Sequence, residues 1–320
     1  MSGHFVVKSK KNLDELNVGD QISESDYATL TPSGNFVQME YVRDTHKRTI
    51  DVKSGLWTIQ KTTKGLGLIE TEFVGETVLD KFVNTQEIES SVDCFFNNIQ
   101  VYYDYGIEVP KHSILMYGPP GGGKTTAISK VCKRYLADNK TACIIWNTDK
   151  FESFEVKDLI STLTYKDLDR LILIAEDLGG TEIEGRDRAS DSSLLSILDN
   201  KEKTFNIPTL ILSTTNYPEN FMENLTNRPE RFDDKIEVKY PDASSRVELL
   251  KFFLKSETLE TNIETFIKST KCDKFTPAHI KQSVIRMATK KKTMLDALTS
   301  VYNDIERYNK GFKDKRGMGL

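Results

Sequence analysis

The chain has 320 residues, of which 38% are hydrophobic and 29% are charged, and its formal net charge is −4. This size suggests roughly two or three domains, and the acidic balance does not favour a dedicated nucleic-acid binder, although a local basic channel would be compatible with it. The four cysteines are far apart and show no metal-ligand spacing, so we expect reduced thiols in a cytoplasmic protein. No apolar run is long enough to span a membrane, and no signal peptide is evident at the polar N-terminus.

The first 80 residues predict a small β-rich domain. Residues 36–42 alternate between apolar and polar side chains, and residues 49–59 have the pattern of a hairpin that turns at Lys53-Ser54-Gly55. Nothing in this part of the chain has catalytic spacing. A change of character follows at residues 87–105, which show helical periodicity, and Gly106 to Pro110 ends that helix.

A phosphate-binding loop follows the short apolar strand predicted at residues 113–117. Residues 118–125 fit the pattern G-x-x-x-x-G-K-S/T, and a helical pattern begins at its end. Glycines let main-chain N–H groups approach a triphosphate closely, and the helix N-terminus adds its positive dipole end. We therefore expect Lys124 to reach the β- and γ-phosphates of ATP and Thr125 to bind Mg²⁺. The predicted nucleotide-binding residues are Gly118, Pro119, Pro120, Gly121, Gly122, Gly123, Lys124, Thr125 and Thr126.

Three further strands are predicted at residues 142–147, 171–175 and 209–215, with helical segments between them. Strands that alternate with helices predict an α/β fold with a mostly parallel sheet, whose ligands bind at the carboxyl ends of the strands. Gly118, Glu176 and Asn216 all follow strand ends, as one shared site requires. The adjacent carboxylates of Glu176 and Asp177 suit two tasks, in which one holds Mg²⁺ through water and the other polarises the attacking water.

The rest of the chain is predicted to be helical. A strand at residues 235–238 precedes a boundary at Pro241-Asp242, and residues 244–310 have helical periodicity throughout. The predicted organisation is a β-rich domain at 1–80, an ATPase core at 81–241, a helical lid at 242–310 and a loose basic tail at 311–320.

Several motifs occur in an order that resembles the AAA family of AAA+ ATPases, in its protein-remodelling branch. They are the phosphate loop, the strand ending in Glu176-Asp177, the Ser-Thr-Thr-Asn run that ends at Asn216, the Arg-Pro-x-Arg-Phe-Asp run at 228–233, Tyr-Pro-Asp at 240–242 with Arg246, and Thr-Pro-Ala at 276–278. The resemblance covers about residues 85–300. The Glu-Asp order and the Pro-Ala pair are shared with the mitochondrial Rieske-protein translocase type, whereas most of the family has Asp-Glu.

The resemblance implies a ring, usually a hexamer, with ATP and Mg²⁺ at the subunit interfaces. It implies a role for each site residue: Lys124 and Thr125 as Walker A, Glu176 and Asp177 as Walker B, Asn216 as sensor 1, and Arg228 and Arg231 as arginine fingers for the neighbouring subunit. By position Glu176 takes the Mg²⁺ role and Asp177 the base role, but the inverted order leaves the choice of base open.

The family's usual pore loop is missing from the sequence. Phe151 and Phe154 lie where such a loop could form, but two phenylalanines belong more often to a core. The leading hypothesis is an ATPase motor that remodels, unfolds or disassembles a protein, with residues 1–80 recruiting a substrate or adaptor. The alternatives are a nucleic-acid AAA+ protein of the helicase or clamp-loader type, and an ATP-gated scaffold with little hydrolysis.

Overall fold

The structure is a computed structural model, and it describes part of the chain. The described residues are 28–30, 36–38, 50–62, 65–73, 86–147, 151, 153–178, 197–198, 204–218 and 232–316. Their contacts divide them into two compact units. One unit holds the described residues within 28–73, 86–117 and 125–236, and the other holds residues 118–124 and 237–316.

The main element of the first unit is a seven-stranded sheet. Its strand order is β11-β6-β10-β9-β7-β4-β5, and two further two-stranded sheets join β1 to β2 and β3 to β8. The strands are β1 (Ala28–Leu30), β2 (Phe36–Gln38), β3 (Ile50–Asp51), β4 (Gly55–Thr62), β5 (Gly65–Thr71), β6 (Lys111–Tyr117), β7 (Thr141–Asn147), β8 (Leu163–Thr164), β9 (Arg170–Glu176), β10 (Thr209–Thr215) and β11 (Asp234–Glu237).

The centre of this sheet is parallel. β10 pairs in parallel with both β6 and β9, and all seven of its residues are buried. Continuous runs of buried aliphatic residues are typical of parallel strands that are covered on both faces. The register aligns the ends of the strands, since Thr215 lies opposite Tyr117 and Ser213 opposite Ala175. The predicted α/β fold with its parallel sheet is therefore confirmed, and the chain segments that follow β6, β9 and β10 leave from one edge.

The hairpin predicted at residues 49–59 is wrong in its pairing, because β3 pairs with β8 in a separate sheet. The observed hairpin joins β4 to β5 instead, and it belongs to the seven-stranded sheet. β4 is antiparallel to β5 and parallel to β7, with Leu56 opposite Cys143. Trp57 and Ile59 are buried at 2% and 1% exposure, because they face the core that the sheet shares with its helices. The prediction that residues 1–80 form a separate domain therefore does not hold for this hairpin. Alternating side chains predict a half-buried strand, but they do not say which sheet the strand joins.

In the described part of the first unit, the sheet is accompanied by the helices α1 (Gln86–Asn97), α2 (Ile99–Asp104), α3 (Lys124–Leu136) and α4 (Ser153–Thr162), and residues 197–198 are helical as well. Phe151, which we considered for a pore loop, is 7% exposed and packs in the core of this unit. The side chain of Phe154 lies outside the described residues.

The second unit is mainly helical, as predicted for the lid. Its helices are α5 (Ala243–Leu254), α6 (Thr261–Lys268), α7 (Pro277–Lys290) and α8 (Met294–Arg316), with a 3₁₀ turn at Thr270–Cys272. They enclose a core of their own around Leu249, Phe275 and Leu298, each at 0% exposure. Helix α8 continues to Arg316, so the tail that we predicted as loose from residue 311 begins as helix. Its Lys and Arg residues are good helix formers despite Gly311.

Arg246 organises the first half of the helical unit. Its guanidinium is 3% exposed and donates to the main-chain oxygens of Ile267 at 2.9 Å and Pro241 at 3.1 Å, and it pairs with Asp273 at 3.1 Å. A buried cation needs such partners to offset its lost hydration. At the start of α5, Asp242 accepts from the Ser245 N–H at 2.7 Å, and this bond lowers the pKa of Asp242. No helix in the described part of the chain is long and apolar enough to cross a membrane.

Candidate active site

The phosphate loop leaves the end of β6 and uses main-chain conformations that favour glycine. Gly121 and Gly123 have φ angles of 71° and 104°, and Gly118 has a φ of 147°. Between them the Gly122 N–H donates to the Pro119 oxygen at 3.1 Å and closes a turn. A residue with a Cβ atom is strained at such angles, whereas glycine is not.

Close packing inside the helical unit also requires these glycines. A Cβ atom on Gly118 would lie 2.1 Å from the main-chain oxygen of Val238, and one on Gly121 would lie 2.7 Å from the Cβ atom of Ala278. The Ala278 N–H donates to the Gly121 oxygen at 3.4 Å, so the loop rests on the first turn of α7. The Thr-Pro-Ala run at 276–278 thus supports the loop from the lid side.

Lys124 is the buried cation of this loop. It is 6% exposed, and its Nζ donates to the main-chain oxygens of Gly118 at 2.7 Å and Pro119 at 3.0 Å. Two carbonyl groups of the loop therefore fix the position of the ammonium group, and a phosphate bound by the loop could form an ion pair with it. Thr125 is the next residue, exposed in the first turn of α3.

The residues present fit Mg²⁺ bound together with a nucleotide. Within the residues that the structure describes, no group of three or more His, Cys, Asp or Glu side chains is arranged to hold a metal ion. Mg²⁺ commonly binds one or two protein oxygens and completes its shell with phosphate and water. The Thr125 hydroxyl and a Glu176 carboxylate oxygen are donors of this kind, and they suit Mg²⁺ better than a softer metal.

The acidic turn that follows β9 is built around Asp177. This residue has a φ of 53°, in the left-handed region that residues other than glycine rarely adopt. Its N–H donates to Thr214 Oγ1 at 3.0 Å, and its carboxylate oxygen Oδ1 accepts from Asn216 Nδ2 at 3.1 Å. The next residue, Leu178, donates its N–H to the Thr214 main-chain oxygen at 2.8 Å and accepts from Thr215 Oγ1 at 2.7 Å.

This geometry gives the two carboxylates different surroundings. Glu176 is half-buried at the end of β9, opposite Asn147 in β7, whereas Asp177 is exposed and held by the Asn216 amide. A carboxylate that is fixed by an amide donor is well placed to accept a hydrogen bond from a water molecule and to orient it. Asp177 and Asn216, which we predicted as base and sensor, are thus brought into direct contact.

The arginine-bearing segment is described only at its end. Arg228 and Arg231 lie outside the described residues, so their predicted finger roles stay predictions. Asp233, which ends the same run, accepts from both the N–H and the hydroxyl of Ser113 at 2.7 Å. Its own N–H donates to the Ser113 oxygen at 2.9 Å. The end of this motif is therefore anchored to β6, the strand that leads into the phosphate loop.

The hydroxyl groups that build the acidic turn were not predicted from the sequence. Thr214 and Thr215 are buried at 1% and 0% exposure, and the sequence showed only two threonines at the end of a strand. One signal in the sequence could have indicated their role. Thr214 and Thr215 are polar residues at the end of a predicted buried strand, directly before Asn216. His279 was a second omission. Its ring nitrogen Nδ1 accepts from the Thr276 N–H at 3.1 Å and caps the helix under the loop.

A family model described as "ATPase family associated with various cellular activities (AAA)" matches residues 114–240 of this chain. This part of the chain is therefore similar to the AAA family. This match confirms the family resemblance that we drew from the motifs. The matched range begins in β6 and ends after β11, so it contains both the phosphate loop and the acidic turn.

The chain is also similar to proteins whose names refer to the proteasome. The chain is 28% identical over 251 residues to the proteasome-activating nucleotidase of Saccharolobus solfataricus, an alignment that covers 72% of this chain and 63% of the relative. It is also 28% identical over 231 residues to 26S proteasome regulatory subunit 7 of Caenorhabditis elegans, with 65% of this chain and 51% of the relative covered. The chain thus spans about half to two thirds of the length of these relatives.

Proposed function

We propose that the chain is an ATP-hydrolysing motor that works as a ring and remodels or unfolds a protein substrate. The similarity of residues 114–240 to the AAA family carries this proposal. The similarity to a proteasome-activating nucleotidase supports a protein as the substrate, and it does not favour the helicase or clamp-loader alternative. The contact between the Asp177 carboxylate and the Asn216 amide favours hydrolysis over an ATP-gated scaffold, because such a pair can orient the attacking water.

The residues divide the chemistry among them. Lys124 binds the phosphates of ATP, and Thr125 with Glu176 would hold Mg²⁺. When bound, this ion neutralises charge on the phosphate oxygens. Asp177 accepts a proton from the attacking water, and Asn216 keeps that carboxylate in place. Arg228 and Arg231 of a neighbouring subunit stabilise the charge that develops as the terminal phosphate leaves.

The assembly and partners are part of the same proposal. Arginine fingers act across subunit interfaces, so this mechanism needs a closed homo-oligomer, and we propose a hexamer in the cytoplasm. The part of residues 1–80 that is not built into the central sheet would recruit a protein substrate or an adaptor. Steady-state ATPase rates measured with an unfolded casein-like protein and with DNA separate the protein and nucleic-acid hypotheses, since only the true substrate class should stimulate turnover.

The decisive experiment mixes two inactive variants. Lys124→Ala removes a phosphate contact from one subunit, and Arg228→Ala removes the finger that the subunit offers to its neighbour. Each variant alone should be nearly inactive. Lys124→Ala loses a contact to the phosphates of ATP, and Arg228→Ala loses an arginine finger, a group that is worth about 10³–10⁵ in rate. The arginine variant should still bind ATP, because its own phosphate loop is intact. Mixed rings contain some interfaces with an intact loop and an intact finger, so mixing should restore part of the ATPase activity.

Differently tagged chains confirm that mixed oligomers form. An ATPase rate of the mixture no higher than the mean of the two variants would contradict a site shared between subunits. Light scattering that shows only monomers at high protein concentration and saturating ATP would contradict the ring.

A further inference from the structure

The acidic turn at Asp177 must keep a strained main-chain conformation without the help of a glycine. Asp177 lies at a φ of 53°, and a side chain with a Cβ atom is strained there. Glycine would remove the strain, but it would also remove the carboxylate. Aspartate tolerates the left-handed region better than most residues do, so the remaining strain is small enough for a few hydrogen bonds to offset. The groups that form these bonds also determine the direction in which the carboxylate points.

Thr214 supplies two of these groups. Its hydroxyl oxygen accepts from the Asp177 N–H at 3.0 Å, and its main-chain oxygen accepts from the Leu178 N–H at 2.8 Å. The regular pairing of β10 with β9 ends one residue earlier, at Ser213 opposite Ala175. Thr214 is thus the first residue of β10 beyond its regular pairing with β9, and its hydroxyl accepts from the N–H of Asp177, the first residue after β9. At 1% exposure, its side chain is shielded from water.

We propose that Thr214 is a positioning residue for ATP hydrolysis, a role that rests on the proposed function. Its hydroxyl fixes the Asp177 main chain, while Asn216 holds the carboxylate at its oxygen. These two contacts together determine where the base points. Removing the hydroxyl leaves the Asp177 N–H without this acceptor and lets the turn relax toward commoner φ angles. The carboxylate would then swing away from its position, although the phosphate loop would be unchanged.

The neighbouring threonine does not share this role. Thr215 donates its hydroxyl to the Leu178 oxygen at 2.7 Å and accepts from the Tyr217 N–H at 3.0 Å. Its hydroxyl bonds thus go to the residues that directly follow Asp177 and Asn216, and to neither of these two. The hydroxyl of Thr214 is the one that bonds to the main chain of the proposed base itself.

The test replaces Thr214 by two similar residues. Thr214→Val keeps the branched shape and removes the hydroxyl, whereas Thr214→Ser keeps the hydroxyl. Thr209→Val is the matched control, because Thr209 is also fully buried in β10 and its hydroxyl donates to the Ile207 oxygen at 2.8 Å at the opposite end of the strand. For each variant, kcat and KM for ATP are measured, together with the affinity for a non-hydrolysable ATP analogue.

Thr214→Val should lower kcat by about tenfold to a hundredfold, since small misplacements of a catalytic group have effects of this order. KM and the affinity for the analogue should change by less than about twofold, because the Thr214 hydroxyl bonds to the main chain of the proposed base, which acts in turnover rather than in ATP binding. Thr214→Ser should recover most of kcat, and Thr209→Val should leave it unchanged. If Thr214→Val fails to fold, Thr214→Ala against Thr214→Ser repeats the comparison with a single oxygen atom removed.

Two results would overturn the positioning role alone. One is a Thr214→Val enzyme as active as Thr209→Val, and the other is a Thr214→Ser enzyme as slow as Thr214→Val. A crystal structure of Thr214→Val gives a reading independent of turnover, in which Asp177 should leave its left-handed φ. An unchanged φ would count against the role as well. A wild-type chain without ATPase activity would instead overturn the proposed function and the positioning role together.

Discussion

The phosphate loop and the acidic turn solve the same conformational problem in different ways. The loop places Gly118, Gly121 and Gly123 at positive φ, whereas the turn places Asp177 there. Glycine tolerates these angles without strain, and the loop needs no side chain at those positions. In the proposed mechanism the turn needs a carboxylate, and Asp177 is held at its positive φ by hydrogen bonds with residues at the end of β10.

The two regions should therefore fail in opposite ways. The loop is limited by close packing, since an added Cβ atom would meet Val238 or Ala278. The turn is limited by its hydrogen bonds, since its partners are hydroxyl and amide groups. Adding atoms should break the loop, and removing polar atoms should break the turn.

The largest effect is expected for Asp177→Asn, which removes the proposed base and keeps its shape. Asparagine adopts the left-handed region more readily than most residues, so the turn should keep its conformation. Loss of the proton acceptor should reduce kcat by about 10²–10⁴, while affinity for a non-hydrolysable ATP analogue is retained. Single-turnover ATPase assays and analogue titrations measure the two quantities separately.

Glu176→Gln is the companion variant, because the choice of base was open from the sequence. We expect Glu176→Gln to raise the Mg²⁺ concentration needed for half-maximal activity. A normal kcat in Asp177→Asn, combined with a collapse of kcat in Glu176→Gln at saturating Mg²⁺, would assign the base to Glu176 instead.

An intermediate effect is expected for Gly118→Ala, which tests the close packing of the loop. Its new Cβ atom would lie 2.1 Å from the Val238 oxygen, at a φ of 147°. Gly106→Ala is the matched control, because Gly106 has a φ of 81° but a Cβ atom added there would meet no described residue within 4 Å apart from its chain neighbours. Both variants should lose about 1–2 kcal/mol to conformational strain, and Gly118→Ala should lose a further 1–3 kcal/mol or so from overpacking.

Urea unfolding of both variants gives this difference in the free energy of unfolding directly. Equal losses of stability would mean that the loop moves freely away from Val238. Conformational strain alone would then explain the need for glycine at position 118.

The contrast between the two regions also explains what the sequence could predict. The loop's conformation depends on residue type at fixed spacing, so the loop at Gly118 to Thr125 was visible in the motif. The role of Lys124 stays a prediction. The parallel sheet was predictable because its central strands are continuous apolar runs. The pattern of residues 49–59 predicted a hairpin in a separate domain, whereas β4 pairs with β5 and β7 at one side of the central sheet. A strand pattern does not say which strands will pair.

The turn's conformation depends on contacts between residues that are far apart in the chain. Thr214 and Asp177 are 37 residues apart, and only the register of β10 against β9 brings the hydroxyl to the amide. Nothing in the Glu176-Asp177 pair itself indicates a left-handed φ. For the same reason the contact between Asp233 and Ser113, 120 residues apart, could not be read from the motif that contains Asp233.

The smallest effect is expected for His279→Gln, which tests the support of the loop on α7. His279 accepts from the Thr276 N–H only when its Nδ1 carries no proton, and burial lowers the pKa of His279 below its usual value near 6.5. A lowered pKa means that the unfolded chain takes up the proton first. The folded state should therefore lose stability as the pH falls from about 6.5 to the folded pKa, and the loss should stay constant below it.

Glutamine at this position can still complete a capping box with Thr276, and it does not titrate. The variant should match the wild type in free energy of unfolding near pH 8, and it should lose less stability between pH 7 and the lowered pKa of His279. Urea titrations of both proteins at several pH values measure these two slopes. Because the Thr276–Ala278 turn also contacts Gly121, affinity for an ATP analogue should follow the same pH trend. Identical slopes for wild type and variant would show that the protonation of His279 is not coupled to folding, and the support of the loop would then be independent of pH.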